Sequence, residues 1–472
     1  MPNYHTAQSS TAAPPMAPHS ALSRFAAALA ILFLVAAIRP EAAHAMKIQT
    51  VKSPGGIEAW LVEEHSVPLI SMRFGLRGGS SQDPAGKEGL ANFLSAMLDE
   101  GAGDLDASAF QDRMQDIGMR MSFSDARDAF YGNFQTLTAN RDEAASLLRL
   151  AITRPRFDED AVERIKKQLV SRLVFDDRDP GKVAMKAWFA TAFPGHPYGR
   201  PSSGTKASVA SITGGDLESY RKRTFARSNL KVAVVGDIDA ATLARWLDEI
   251  FGDLAPEAQL ADVPQTRPVG GGVEQVVEMA VPQSVAVFGM GSLQRKHPDF
   301  IPAFVLNHIL GGGGFASLLM DEVREKRGLA YSVYSHIQPE DHASVLIGSV
   351  ATKNESIAQS LSVIRSVLER VAKDGPSQEE LDSAKRYLVG SYALRFDTGA
   401  KIASQMLGVQ MEDMGLDYFD KRNGLVDAVT LDDVKRIARE FLQPSDLIIT
   451  VVGKPQNMAP PAAAPASVSR GG

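Results

Sequence analysis

The stretch Leu230-Lys-Val-Ala-Val-Val-Gly236 recurs near the other end of the chain as Leu447-Ile-Ile-Thr-Val-Val-Gly453. In both copies a short loop and an aromatic residue, Phe225 or Phe441, precede the apolar run. A run of this length, rich in β-branched residues and closed by glycine, is typical of a buried strand. The recurrence indicates that one structural plan is used twice.

Two further segments repeat at nearly the same offset. One is a threonine followed three residues later by aspartate, which is a helix N-cap signal, and the other is a charged helix. Thr213 with Asp216 matches Thr430 with Asp433, and residues 160–170 match residues 379–389. The sequence therefore predicts two similar domains, at 46–267 and 273–456, joined by a glycine-rich linker at 268–272.

The order of elements within each half predicts the fold class. Met72, Phe74 and Leu76 alternate with polar or small residues, as in a half-buried strand, whereas 145–152 and 357–371 have helical periodicity. Strands and helices do not alternate strictly, so we expect an α+β fold. Each domain would consist of an antiparallel-rich sheet packed against helices, rather than of a doubly wound parallel sheet.

Composition excludes several classes of function. The 472 residues carry a net charge of -6 and contain no cysteine. Disulfides, a thiol nucleophile and cysteine metal sites are therefore excluded. The mild acidity gives no electrostatic footprint for nucleic acid, and we expect no nucleic-acid partner.

The two ends of the chain have their own signals. Arg24 precedes an apolar run at 25–38, and the small-x-small pattern Ala43-His44-Ala45 follows. These features predict a signal peptide at 1–45 and a periplasmic or secreted protein with no stable membrane insertion, with a membrane anchor as the alternative. The Pro/Ala/Ser-rich residues 457–472 are expected to form a disordered tail.

Residues 87–98 are predicted to form an amphipathic helix. Its apolar face comprises Leu90, Phe93, Leu94, Met97 and Leu98, at helical spacing. The opposite face carries Asn92, Ser95 and Ala96, which are small and uncharged. Such a face indicates a cleft or a partner contact, although a neutral surface patch explains it equally well.

The segment from Gly79 to Ala91, followed by Asn-Phe-Leu-Ser-Ala-Met, resembles the pitrilysin/insulinase family of zinc metallopeptidases. That family has H-x-x-E-H on this helix, with two histidines binding zinc and the glutamate acting as general base. Aligned by the flanking residues, Asn92 and Ala96 replace the histidines and Ser95 replaces the glutamate. The resemblance implies a metallopeptidase or mitochondrial-processing-peptidase fold.

The third zinc ligand of the family is also replaced. It is a glutamate seven residues after the glutamate of a Glu-Arg pair; Glu163 and Arg164 supply that pair here, and Val170 occupies the ligand position. Alanine and valine cannot coordinate a metal, and serine has no low-pKa carboxylate. We therefore expect no metal bound by this chain and no catalysis by the chain alone. His196, in His-Pro-Tyr-Gly, is expected to make structural hydrogen bonds.

The second half keeps a specific motif. Four glycines, Gly311, Gly312, Gly313 and Gly314, permit unusual backbone conformations and close approach of another chain. A helix at 315–327 should follow, ended by Gly328.

A strand is predicted to start at Ala330, with Tyr331 and Val333 on one face. In the resembling family an arginine seven residues before a tyrosine reaches over the zinc of the first domain or of a partner. Arg324 and Tyr331 form this pair here. An arginine favouring a helix C-terminus and a tyrosine packed on a sheet are the structural alternatives.

The resemblance extends over most of residues 47–455 and matches bacterial heterodimers that divide these roles between two subunits. It implies a non-catalytic subunit of a peptide-degrading zinc endopeptidase, with Arg324 and Tyr331 acting in trans. The zinc would lie in an H-x-x-E-H partner. The alternative is a peptide-binding or scaffold protein of the same fold without a role in catalysis.

Overall fold

Two β-sheets, one in each half, form the framework of the residues that the computed structural model describes, 47–458. The predicted signal peptide and nearly all of the predicted tail lie outside these residues. None of the helices within 47–458 has the length and apolarity that a membrane span requires.

The first sheet has the strand order β1-β2-β6-β3-β5-β4. Strands β2 and β6 are parallel, and the other neighbours are antiparallel. The strands are β1 Gln49–Lys52, β2 Glu58–Glu63, β3 Leu69–Arg77, β4 Arg120–Asp125, β5 Ala129–Leu137 and β6 Leu230–Gly236.

The second sheet has the order β7-β11-β8-β10-β9, with only β7 and β11 parallel. Its strands are β7 Glu274–Glu278, β8 Gln283–Gly291, β9 Ala330–Pro339, β10 Ser344–Lys353 and β11 Ile448–Gly453. The repeated apolar runs form β6 and β11, and each pairs with one parallel and one antiparallel neighbour. The predicted α+β class with two similar, antiparallel-rich domains is confirmed, whereas the boundaries at 46–267, 268–272 and 273–456 stay a prediction.

Helices pack against both faces of each sheet. In the first half they are α1 Leu90–Ser95, α2 Ala107–Asp116, α3 Arg141–Thr153, α4 Glu159–Asp176, α5 Pro180–Ala192, α6 Lys206–Ser211, α7 Gly214–Thr224 and α8 Ala240–Phe251. In the second half they are α9 Phe300–Asn307, α10 Leu318–Met320, α11 Ile357–Asp374, α12 Gln378–Gly390, α13 Gly399–Met411, α14 Tyr418–Asp427 and α15 Leu431–Phe441. The predicted N-caps are present as full capping boxes at Thr213 and Thr430.

The two halves exchange one helix each. Helix α5 of the first half packs on β8 and β11, where the Trp188 indole N–H donates to the carbonyl oxygen of Ile448 at 3.0 Å. Helix α13 of the second half packs on β3 and β6. Trp188 and its neighbours form an apolar cluster with Ile347 and Val452 of the second sheet. The repeat did not predict this exchange.

Candidate functional site

Helix α1 carries the positions where the resembling family binds zinc, and it is shorter than predicted. It spans Leu90–Ser95 rather than 87–98, because Gly89 has a left-handed backbone with φ 91°. Asp83 caps the helix: one carboxylate oxygen accepts from the N–H of Gly89 at 2.8 Å and of Leu90 at 3.2 Å, and the other accepts from Ala91 at 3.0 Å.

The two faces of this segment are as predicted. The five apolar residues are buried in the core of the first half, and Asn92, Ser95 and Ala96 are half-buried on the other side. Val170, on α4, is half-buried against the same core, and α4 contacts α1. Within residues 47–458, no group of three or more histidine, cysteine or acidic side chains could hold a metal ion.

Asp125, at the end of β4, is a member of this site that the sequence did not single out. The Asn92 side-chain amide donates to its carboxylate at 2.9 Å, and the Ser95 hydroxyl donates to the Asn92 carbonyl oxygen at 2.8 Å. Burial raises the pKa of Asp125, and the hydrogen bond from Asn92 opposes that shift. A half-buried carboxylate beside Asn92, a predicted zinc-ligand position, could orient a zinc-binding histidine at that place.

His196 has the structural role predicted for it. Its Nδ1 accepts from the Tyr198 N–H at 3.1 Å, and its Nε2 lies 3.0 Å from the carbonyl oxygen of Pro264. With Nδ1 as acceptor, Nε2 carries the proton and donates to that oxygen.

The glycine run of the second half approaches its own chain. A Cβ at Gly311 would lie 2.7 Å from the Ser335 nitrogen on β9, so only glycine lets these segments pack together. Gly314, with φ 59°, has open space around it. Close approach therefore explains Gly311 within this chain, and the role of the loop in contacting another chain stays a prediction.

The prediction of one regular helix at 315–327 is wrong. A single α-helical turn, α10, is followed by a π-helical turn at Asp321–Glu325. The segment ends as predicted: Gly328 has φ 61°, and its N–H donates to the carbonyl oxygen of Arg324 at 2.7 Å. A π-turn shifts the side chains that follow it relative to a regular helix, and such turns are frequent at functional sites.

Strand β9 begins at Ala330 as predicted, but Tyr331 and Val333 do not share a face. Ala330 pairs with Thr352 and Ser332 pairs with Ala351, which leaves Tyr331 as the extra residue of a β-bulge. The bulge reverses the alternation at this point. Tyr331 is consequently 81% exposed, whereas Val333 is buried.

The structure brings Arg324 and Tyr331 together. The guanidinium carbon of Arg324 lies 4.8 Å from the centroid of the Tyr331 ring and 4.6 Å from that of Phe315, a residue without a distinctive signal in the sequence. The remaining charged contact is with Glu325, 3.5 Å from Arg324 Nε. Both side chains can donate hydrogen bonds to an oxygen that gains negative charge.

Comparison with known proteins gives the class. Residues 62–206 match the family model described as insulinase (peptidase family M16), and residues 211–388 match the peptidase M16 inactive domain. These segments cover more than half of the chain. The chain belongs to the M16 peptidase family, and its similarity to the M16 inactive domain and to a non-peptidase homologue supports a catalytically inactive M16-fold protein.

Individual relatives agree with the family. A non-peptidase homolog, YmxG, from Helicobacter pylori is 24% identical over 391 residues, covering 83% of this chain and 90% of the relative. An uncharacterized zinc protease from Streptomyces coelicolor is 28% identical, covering 82% and 86%. The crystal structure of a peptidase M16 inactive domain from Pseudomonas fluorescens superposes with a TM-score of 0.82 at 28% identity, covering 88% of this chain and all of that one.

Proposed function

We propose that this chain is the non-catalytic, substrate-contacting subunit of a heterodimeric zinc endopeptidase that degrades peptides. Its partner would be a homologous subunit with H-x-x-E-H and bound zinc, in the periplasm or outside the cell. Arg324 and Tyr331 of this chain would act in the partner's active site.

The proposal rests on the way Arg324 and Tyr331 lie together at the protein surface. A bulge leaves the Tyr331 ring largely exposed at the start of β9, which is an edge strand of its sheet. Arg324 lies against that ring, and its one ion pair within residues 47–458 is a long contact with its neighbour Glu325. A tyrosine with no core-packing role and an arginine held by aromatic rings are suited to contact a group supplied from outside the chain.

The chemistry follows from the two donors. When zinc-bound water attacks a peptide bond, the carbonyl oxygen gains negative charge, and donors already in position stabilise it without reorganisation. The phenol and the guanidinium of this chain would supply such donors, while the partner would supply the metal and the general base.

The test is reconstitution of the mixed complex with an H-x-x-E-H homologue and measurement of peptide hydrolysis. Arg324→Ala and Tyr331→Phe are expected to lower kcat by ~10²–10³, the usual cost of removing one donor to an oxyanion. Gel filtration should show that both variants still form the complex. Tyr387→Phe is the matched control, since Tyr387 lies on helix α12 and is 62% exposed.

Near-normal turnover in both variants would overturn the role of the pair. It would instead favour the alternative, a peptide-binding or scaffold protein without a part in catalysis.

A further inference from the structure

A basic cleft of about 310 Å³ lies between α4, α5 and the loop at 200–204. Its charged lining consists of Arg127, Arg172, Lys182, Lys186, Arg200, Asp176 and Asp177. Cations thus outnumber acids in a chain whose net charge is -6. The cleft is therefore a local reversal of the overall charge.

Both acids of the cleft already have partners. Asp176 forms an ion pair with Lys182, and Asp177 forms one with Lys206 at 2.8 Å. Arg172 and Lys186 are exposed and form no ion pair with any residue of the described segment 47–458. Neither cation is held in a close ion pair within that segment, although the charge of Arg172 acts on Asp125 and that of Lys186 acts on Asp177.

Arg127 adds a third, less solvated cation. Its guanidinium lies 3.6 Å above the Phe189 ring, and its side chain is 18% exposed. Its guanidinium forms a long ion pair with Glu340, whose carboxylate lies 3.7 Å from Nη1. Its buried Nε has no hydrogen-bond partner among the described residues. A buried donor without a partner is unfavourable, so Arg127 is poised to bind an acceptor that enters the cleft.

The cleft also has an apolar wall. Leu173, Val183, Met185 and Phe189 line it beside the cations. The charge of Arg172 acts on Asp125, which accepts the hydrogen bond from Asn92. A ligand held by Arg172 would therefore lie on the side of the first half that carries Asn92.

We propose that this cleft binds a carboxylate of a peptide, supplied by its C-terminus or by an acidic side chain. Guanidinium groups match the planar carboxylate, and the apolar wall accepts an adjoining aliphatic side chain. The choice of a peptide as the ligand rests on the proposed function. The cleft itself would give a preference for acidic or C-terminal segments, separate from the part that Arg324 and Tyr331 play.

The experiment measures binding to the purified chain alone, without a partner subunit. The probes are two pairs of N-acetylated alanine–leucine pentapeptides. One pair differs only in a free or amidated C-terminus, and the other, amidated throughout, differs only in a central glutamate or glutamine. Calorimetry should show at least about tenfold tighter binding of the free acid than of its amide, or of the glutamate peptide than of the glutamine peptide. The first result identifies a C-terminal carboxylate and the second an acidic side chain.

Arg172→Met and Lys186→Met should each weaken that binding by about tenfold, because both remove an exposed cation of the cleft without disturbing the core. Lys421→Met is the matched control, since it removes an exposed cation in the other half and should have no effect. Equal affinity for the members of both pairs, or binding unchanged in both cleft variants, would overturn the proposal. Inorganic phosphate that binds the cleft while no peptide pair is discriminated would overturn it as well.

This result is independent of the turnover test. Unchanged turnover of the mixed complex after substitution of Arg324 and Tyr331 would overturn the proposed function. Equal affinity of the isolated chain for both members of each peptide pair would overturn only the proposal that the cleft binds a carboxylate.

Discussion

The guanidinium of Arg324 lies between two aromatic rings, 4.8 Å from the centroid of Tyr331 and 4.6 Å from that of Phe315. Arg324 and Tyr331 belong to different elements, a π-turn and a bulged edge strand. The π-turn and the bulge both depart from regular geometry, and together they set two hydrogen-bond donors side by side at the surface. The second ring, Phe315, follows the glycine run and is itself 68% exposed.

Phe315→Ala should lower kcat of the reconstituted complex by about two- to fivefold, since exposed cation–π contacts contribute ~0.5–1 kcal/mol. The effect should be smaller than that of Arg324→Ala, because Phe315 acts only by positioning the arginine. The melting temperature of the chain should not change. Phe175→Ala is the control of equal type and exposure, at 69%. A loss as large as that of Arg324→Ala would mean that Phe315 contacts the substrate directly.

The purified chain should contain no stoichiometric zinc, because Asn92, Ala96 and Val170 occupy the ligand positions. Elemental analysis after dialysis measures this directly. One zinc per chain would contradict the assignment of these positions.

The combined change Asn92→His, Ser95→Glu, Ala96→His and Val170→Glu should create measurable zinc binding by calorimetry. Asp125, which now accepts from Asn92, would orient the new histidine. Adding Asp125→Asn should therefore weaken zinc binding by about 10–100-fold. A folded quadruple variant that titrates no zinc would show that the alignment of these positions is wrong.

Asp83→Ala should destabilise the chain by about 1–3 kcal/mol, because it removes the acceptor of three backbone N–H groups at the start of α1. Asp83→Asn, which keeps one acceptor oxygen, should cost less. Urea unfolding measures both changes. Asp116→Ala, which removes an exposed carboxylate, should leave the free energy of unfolding unchanged. A loss of stability in this control equal to that of Asp83→Ala would contradict the capping role of Asp83.

Glu340 should make stability depend on pH. Burial raises its pKa to about 7, although Arg127 acts against that shift. Because this exceeds the usual glutamate value of about 4.3, the folded state favours the protonated group. Its contribution to stability is complete below pH 4 and is lost as pH rises through 7. Glu340→Gln should therefore match the wild type at pH 4 and exceed its unfolding free energy at pH 8 by about 2–4 kcal/mol. Equal stability at both pH values would contradict the shift.

Much of the fold could be predicted because it depends on local pattern. The repeated apolar runs became β6 and β11, and the threonine–aspartate pairs became capping boxes. The exchange of α5 and α13 between the halves could not be predicted, since helical periodicity marks an apolar face without saying which sheet covers it.

The sequence identified some residues of the candidate sites and missed others. Asn92, Ser95, Ala96 and Val170 were selected by their place in a motif. Asp125 was missed because it lies 33 residues from Asn92 along the chain, and only the pairing of β4 and β5 and the packing of α1 bring the two together. Phe315 was missed because an aromatic residue after glycines has no distinctive spacing.

The sequence by itself determined the residue types: which positions lack metal ligands, which half keeps an arginine and a tyrosine, and where the apolar runs recur. The tertiary structure decided where those side chains point. Strict alternation along β9 would put Tyr331 on the same face as the buried Val333, and only the pairing of β9 with β10 reveals the extra residue that turns the ring outward. Likewise Arg127, Arg172 and Lys186 become one cleft only when a strand end and two helices pack together. Residue chemistry is local, whereas exposure and juxtaposition depend on contacts between segments distant in the chain.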